Sequence, residues 1–152
     1  MKHIIGVIFL IIFSATDILT GRVIRVADGD TITILLAGNI QERIRLADID
    51  APELGQPFSE QSRLYLSELC AGKTVTIEYK ERDIYGRILG VVIVDGINVN
   101  EAIVREGLAW EYKYNTNGRI RELQEEAQLK KINIWSDENP VNPYDYRREK
   151  NK

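Results

Sequence analysis

The stretch T20-G-R-V-I-R-V-A-D-G-D-T-I-T-I-L-L-A-G-N-I-Q-E-R-I-R-L-A-D-I-D-A-P-E53 decides the fold. In TGRVIRVA, small or apolar residues alternate with polar ones, Asp28-Gly29-Asp30 supplies a turn, and TITILL resumes a β-branched alternation. The two runs read as a hairpin. After Gly38-Asn39, IQERIRLADI alternates again as a third strand, and Pro52 in DAPE halts regular pairing.

Beyond Glu53 the period changes. FSEQSRLYLSELC, residues 58–70, sets Leu64, Tyr65 and Leu69 at helical spacing, with Ser59 available as a cap. KTVTIEYKE and RILGVVIV then read as two further strands. VNEAIVREGLAW follows as a helix stopped by Gly107, and RIRELQEEAQLKKINIW as an amphipathic helix carrying Ile120, Leu123, Ala127 and Leu129, with Trp135 docking beyond its end. From Ser136 the chain is charged, proline-bearing and poor in aliphatics, so residues 136–152 are expected to be a flexible tail. Five short strands with a helix between the third and fourth is the order of an OB-type barrel. The expected fold is mainly β with α (α+β), a five-stranded OB-fold barrel with about three helices.

The 152 residues suit a single core. At the start, Lys2 precedes the apolar run Ile4–Phe13, which is followed by Ser14, Ala15 and Thr16, the layout of an export signal. A helix spanning a bilayer takes about 20 residues, longer than this run. Residues 1–15 are therefore expected to be a signal peptide or a short N-terminal anchor, and the protein to be secreted or to face the periplasm or cell envelope. Cys70 is the single cysteine, which excludes an intrachain disulfide, and an inert buried thiol is expected there. His3 is the single histidine and lies inside the presumed signal, which removes histidine-based triads and zinc sites from consideration. The net charge of -3 gives no bulk attraction for a polyanion, so nucleic-acid binding would rest on local arginines and lysines.

Taken singly, Asp28-Gly29-Asp30-Thr31 is a hairpin turn, and Asp48, Asp50 and Glu53 are a solvated acidic loop. Together they converge, because the first hairpin and the end of the third strand meet at one barrel end. Two carboxylates with backbone oxygens suit a hard cation such as calcium or magnesium, and calcium tolerates an irregular shell. The strings VADGDT, RIRLADIDAPE, DIYGR, VNEAIVREGLA and NIW occur in this order from Thr20 to Trp135. This ordered set resembles the staphylococcal nuclease (thermonuclease) family, so 20–135 is expected to be the nuclease domain.

The resemblance implies roles position by position. Asp30 and Asp50 match the metal-binding aspartates, and Ala51 the position whose backbone carbonyl also binds calcium. Glu53 matches the glutamate that orients or deprotonates the attacking water. Arg45 and Arg87 match the arginines that hold the scissile phosphate, with Arg45 selected over Arg43 by its spacing to Asp50. Tyr85, Tyr112 and Tyr114 match tyrosines lining the nucleotide pocket. Two features depart from the best-known member: Ile84 stands where that member has a lysine, and LGQPF is shorter than its exposed loop. The implied activity is calcium-dependent hydrolysis of DNA and RNA by a monomer acting on single-stranded or open substrate and leaving 3′-phosphate ends; magnesium is the less favoured ion. The alternative is a non-catalytic nucleic-acid-binding OB barrel.

Overall fold

The structure, a computed structural model, describes residues 15–151; the segment read as an export signal lies, up to Ser14, outside the described residues. The elements in chain order are β1 (Asp17–Val26), β2 (Thr31–Leu35), β3 (Gln41–Leu46), β4 (Ile49–Asp50), α1 (Ser59–Cys70), β5 (Thr74–Arg82), β6 (Ile88–Val94), β7 (Ile97–Asn98), α2 (Val99–Arg105), β8 (Trp110–Glu111), α3 (Gly118–Lys130) and α4 (Pro143–Lys150). Antiparallel neighbours run in the order β3-β2-β1-β5-β6. A parallel pairing of β3 with β6, with Ile44 opposite Ile88 and Leu46 opposite Gly90, closes the barrel. The expected five strands are thus those of the closed OB-type barrel. The two-residue strands β4 and β8 pair with each other outside it, and β7 extends the β6 edge.

The alternation seen in the sequence explains the core. Ile32, Ile34, Ile44, Leu46, Ile77 and Ile88 all point inward and are fully buried. Each such side chain stabilises the fold by roughly 1.5–3 kcal/mol on removal from water. Helix α1 departs from the expected face: its buried stripe is Ser62, Leu66 and Cys70, whereas Leu64 is exposed. Ser59 is the first helical residue rather than the cap. Phe58 takes the cap position in a left-handed conformation (φ 66°), with no side-chain bond. Helix α2 begins at Asn98, whose side chain accepts from the Glu101 N–H, and Gly107 (φ +69°) stops it as expected. On α3, Ile120, Leu123 and Ala127 face the core while Leu129 is exposed, and Trp135 is buried beyond the helix.

Two polar side chains fix the end of the barrel where the acidic loops lie. Asn100 of α2 accepts from the Val92 N–H at 3.0 Å and donates to the carbonyls of Gly90 at 3.1 Å and Ala47 at 3.0 Å, tying α2 to β6 and to the β3–β4 corner. Ser62 of α1 donates to the Leu108 carbonyl at 2.8 Å. The same hydroxyl leaves no space above Gly29: a Cβ there would lie 1.9 Å from Ser62 Oγ and 2.8 Å from Ala51 Cβ. Gly29 is therefore required by close approach, which presses the Asp28–Asp30 turn against α1 and the loop at Ala51. Gly29→Ala is expected to destabilise the protein by about 1–3 kcal/mol through overpacking, measured as a shift in the urea midpoint, and Gly29→Ala combined with Ser62→Gly to recover part of that loss.

Candidate functional site

The β1–β2 turn and the corner after β3 bring Asp30 and Asp50 to one point. Both carboxylates lie 3.2 Å from Nη2 of Arg45, whose side chain is nearly buried with them. Arg45 also donates through Nη1 to the carbonyls of Leu46 at 2.7 Å and Ile49 at 2.8 Å. Both of its terminal nitrogens are thereby engaged within the protein. Asp30 additionally accepts from the Ala51 N–H at 2.7 Å and from the Thr31 hydroxyl at 3.1 Å. Ala51, singled out for its carbonyl, fastens the turn through its N–H.

Burial acts on the acids. It raises the Asp50 carboxyl above its ordinary range, against the opposing pull of Arg147 and Arg45. Asp28 is pushed up to about 6, first by burial and then by the neighbouring Asp30 charge. Asp30 and Asp50 supply hard oxygen donors side by side, which fits a divalent cation of the calcium or magnesium class. Among the described residues no third histidine, cysteine or carboxylate joins them, so backbone oxygens, water or substrate would complete the shell.

Glu53 does not touch Asp30 or Asp50 directly. Residues 143–150 are helical rather than a flexible tail, and they supply the connection: the Arg147 guanidinium of α4 donates to Asp50 at 3.1 Å and 2.8 Å and also to Glu53. The paired carboxylates hold the Arg147 charge more firmly than usual, Asp50 foremost. Gln56 supports the same link. It accepts from the Glu53 N–H at 2.8 Å and donates to the Val141 carbonyl at 3.0 Å, so the short loop carrying Glu53 is bonded to the segment leading into α4. The helix has a legible start, with Asn142 capping the Tyr144 N–H and Pro143 in its first turn.

Arg87 stands apart from this cluster. Its Nε donates to Asp83 at 2.7 Å, and the Asp83 carboxylate also accepts from the Tyr85 and Arg87 N–H groups. Extending the β3–β6 register puts Arg87 on the sheet face of Arg45, beside Arg43 and one two-residue step, roughly 7 Å along the strand, away. Its terminal nitrogens have no protein acceptor among the described residues, which leaves a two-pronged donor free for an anion. Tyr85 is exposed beneath the Arg87 guanidinium at 5.5 Å. Tyr112 and Tyr114 meet edge to face at 5.6 Å, and the Tyr112 N–H bonds the Asp48 carbonyl, fastening their loop to the strand of Asp50.

Arg45 is the least replaceable of these groups, because its loss strands two nearly buried carboxylates and two carbonyls. Arg45→Ala is expected to cost about 3 kcal/mol in denaturant unfolding, with Arg45→Lys recovering only part because an ammonium lacks the planar fork.

Residues 43–137, more than half of the chain, match the family described as staphylococcal nuclease homologue. The chain is 49% identical over 132 residues to a protein of Escherichia coli described as an uncharacterized endonuclease, covering 86% of each. It is 41% identical over 141 residues to a micrococcal nuclease of Shigella flexneri, covering 84% of this chain and 80% of the relative. A staphylococcal-like nuclease of Arabidopsis thaliana is 32% identical over 109 residues, 71% of this chain and 34% of that larger protein. With the barrel, the paired aspartates and these likenesses in agreement, the chain belongs to the staphylococcal nuclease family.

Proposed function

We propose that this protein is a nuclease that hydrolyses phosphodiester bonds of DNA and RNA with calcium as its ion. The observation that carries the reading is the convergence of Asp30 and Asp50 on one guanidinium nitrogen, with Glu53 joined to Asp50 through Arg147. Relatives described as endonuclease and micrococcal nuclease support it.

Asp30, Asp50 and the Ala51 carbonyl would hold the cation, which supplies positive charge against a phosphate. Glu53 accepts a hydrogen bond from the attacking water, orienting it or taking its proton. Arg87 meets the phosphate with its free fork, and charge developing on the phosphoryl oxygens is opposed by a cation already in position. Arg45 keeps Asp30 and Asp50 together and retains its Nε–H for the same phosphate. Tyr85, Tyr112 and Tyr114 present ring faces to bases, a sequence-tolerant interaction suited to single-stranded or locally open substrate. By the family's chemistry the 5′ oxygen leaves and 3′-phosphate ends remain. In this reading the protein acts as a monomer outside the cytoplasm or at the cell envelope, with residues 1–15 directing export.

One observation favours a second reading, a nucleic-acid-binding barrel without catalysis: Arg147 already occupies hydrogen-bonding positions on both Asp50 and Glu53. Cleavage of labelled single-stranded DNA and RNA separates the two. Calcium-supported cutting is expected, abolished by a chelator and reduced by ~10²- to 10³-fold in Glu53→Ala and in Arg87→Ala at unchanged melting temperature. Binding without cutting under every ionic condition would establish the second reading instead.

A further inference from the structure

Helix α4 brings more than Arg147 to this end of the barrel. Tyr144 and Arg148 stand three positions before and one after Arg147, so the three share one helical face. That face is turned toward Asp50 and Glu53, since Arg147 bonds both. The Tyr144 ring has the Arg148 guanidinium 5.7 Å from its centre and the Lys113 ammonium 4.0 Å from it. Lys113 comes from the other side. It follows β8, whose Trp110 pairs with Asp50 in β4, and its neighbour Tyr112 is bonded to Asp48. Two segments far apart in sequence, each fastened to the strand of Asp50, therefore meet in an aromatic ring flanked by two cations.

The chain as a whole is negative, and most of its arginines are paired with carboxylates, whereas neither Lys113 nor Arg148 has an ion-pair partner among the described residues. Unpaired cations around a half-buried aromatic ring match the chemistry of a nucleotide, in which a flat base and an anionic phosphate are joined by a short flexible sugar.

We propose that Tyr144, Arg148 and Lys113 form a subsite for a nucleotide of the substrate strand beyond the one being cleaved, its base stacking on Tyr144 and its phosphate held by Lys113 and Arg148. This inference rests on the nuclease reading and deepens it: the substrate is a strand several nucleotides long, gripped at the reaction centre and again on α4. Arg147 acts in it as the pin that keeps α4 against the barrel.

The test is fluorescence anisotropy of the full chain with calcium and a labelled single-stranded DNA of twelve nucleotides carrying cleavage-resistant phosphorothioate linkages, beside the matching dinucleotide. Tyr144→Ala is expected to weaken binding of the longer strand roughly tenfold, with Tyr144→Phe close to the parent protein. Arg148→Ala and Lys113→Ala, both at exposed positions that leave the fold intact, are each expected to weaken it severalfold and to reduce the salt dependence by about 0.7 in log–log slope. The dinucleotide, whose two nucleosides flank the scissile phosphate at the centre, has no further nucleotide to offer this subsite and should lose much less. Parent-like affinity of all three alanine variants for the longer strand, or an equal loss with the dinucleotide, overturns the subsite. If the parent still cleaves ordinary DNA and Glu53→Ala does not, the nuclease reading survives that failure. A parent protein that neither binds nor cleaves overturns both.

Discussion

The arginine at position 45 is the contact on which this end of the molecule depends. One guanidinium bridges Asp30 from the β1–β2 turn and Asp50 from β4, while its other nitrogen closes on the carbonyls of Leu46 and Ile49 where β3 gives way to β4. Two carboxylates almost removed from water repel each other and lose hydration, and neither cost is met by the apolar core beneath them. Around the arginine the backbone is bonded on all sides. The Leu46 N–H reaches the Asp30 carbonyl at 2.8 Å, the Ala47 N–H reaches that of Gly90 at 2.8 Å, and Asn100 donates to the Ala47 carbonyl. A corner tied to β2, β6 and α2 at once can hold like charges at short range without spreading.

Glu53 is held by a different device. It lies on a loop, the kind of position from which catalytic groups are often mobile, yet Gln56 and Arg147 bond its backbone and its carboxylate to the C-terminal segment. The shortness of LGQPF and the presence of α4 belong together in this arrangement. The loop is too short to support itself as a separate lobe, and the helix provides the surface against which it is ordered. Ile84, in the turn after β5, is exposed, while lysine and arginine gather around Tyr144.

The barrel could be read from sequence because its strands are long enough to display a period of two and its inward residues are almost all isoleucine, leucine and valine. The meeting of Asp30 and Asp50 was legible for a related reason, since the first hairpin and the end of the third strand bring them to one barrel end, whereas Arg45 was singled out by the family resemblance rather than by the strand pattern. Misreadings came where packing overrides hydrophobicity. Ser62 is buried because its hydroxyl has a partner in Leu108, and Leu64 and Leu129 are exposed because the helices turn other faces inward. The pair β4–β8 was illegible, since two residues show no period. Helix α4 was missed although Asn142-Pro143 signals a start, because an aliphatic-poor helix has no apolar stripe to read. Its anchoring bond joins residues 97 positions apart, and local pattern carries no information about such a contact.

The parallel pairing of β3 with β6 also has a kinetic side. β1, β2 and β3 can form by successive local hairpins, but β6 reaches β3 only after α1 and β5 have been laid down between them. Ordering that long loop before its contacts reward it is slow, as in other non-local β topologies. Until the seam closes, the Ala47 N–H has no Gly90 carbonyl to meet and the corner bearing Asp50 lacks one of its sides. The acidic centre thus draws its own contacts from residues 30–51 and gains its β6 side only when the barrel closes.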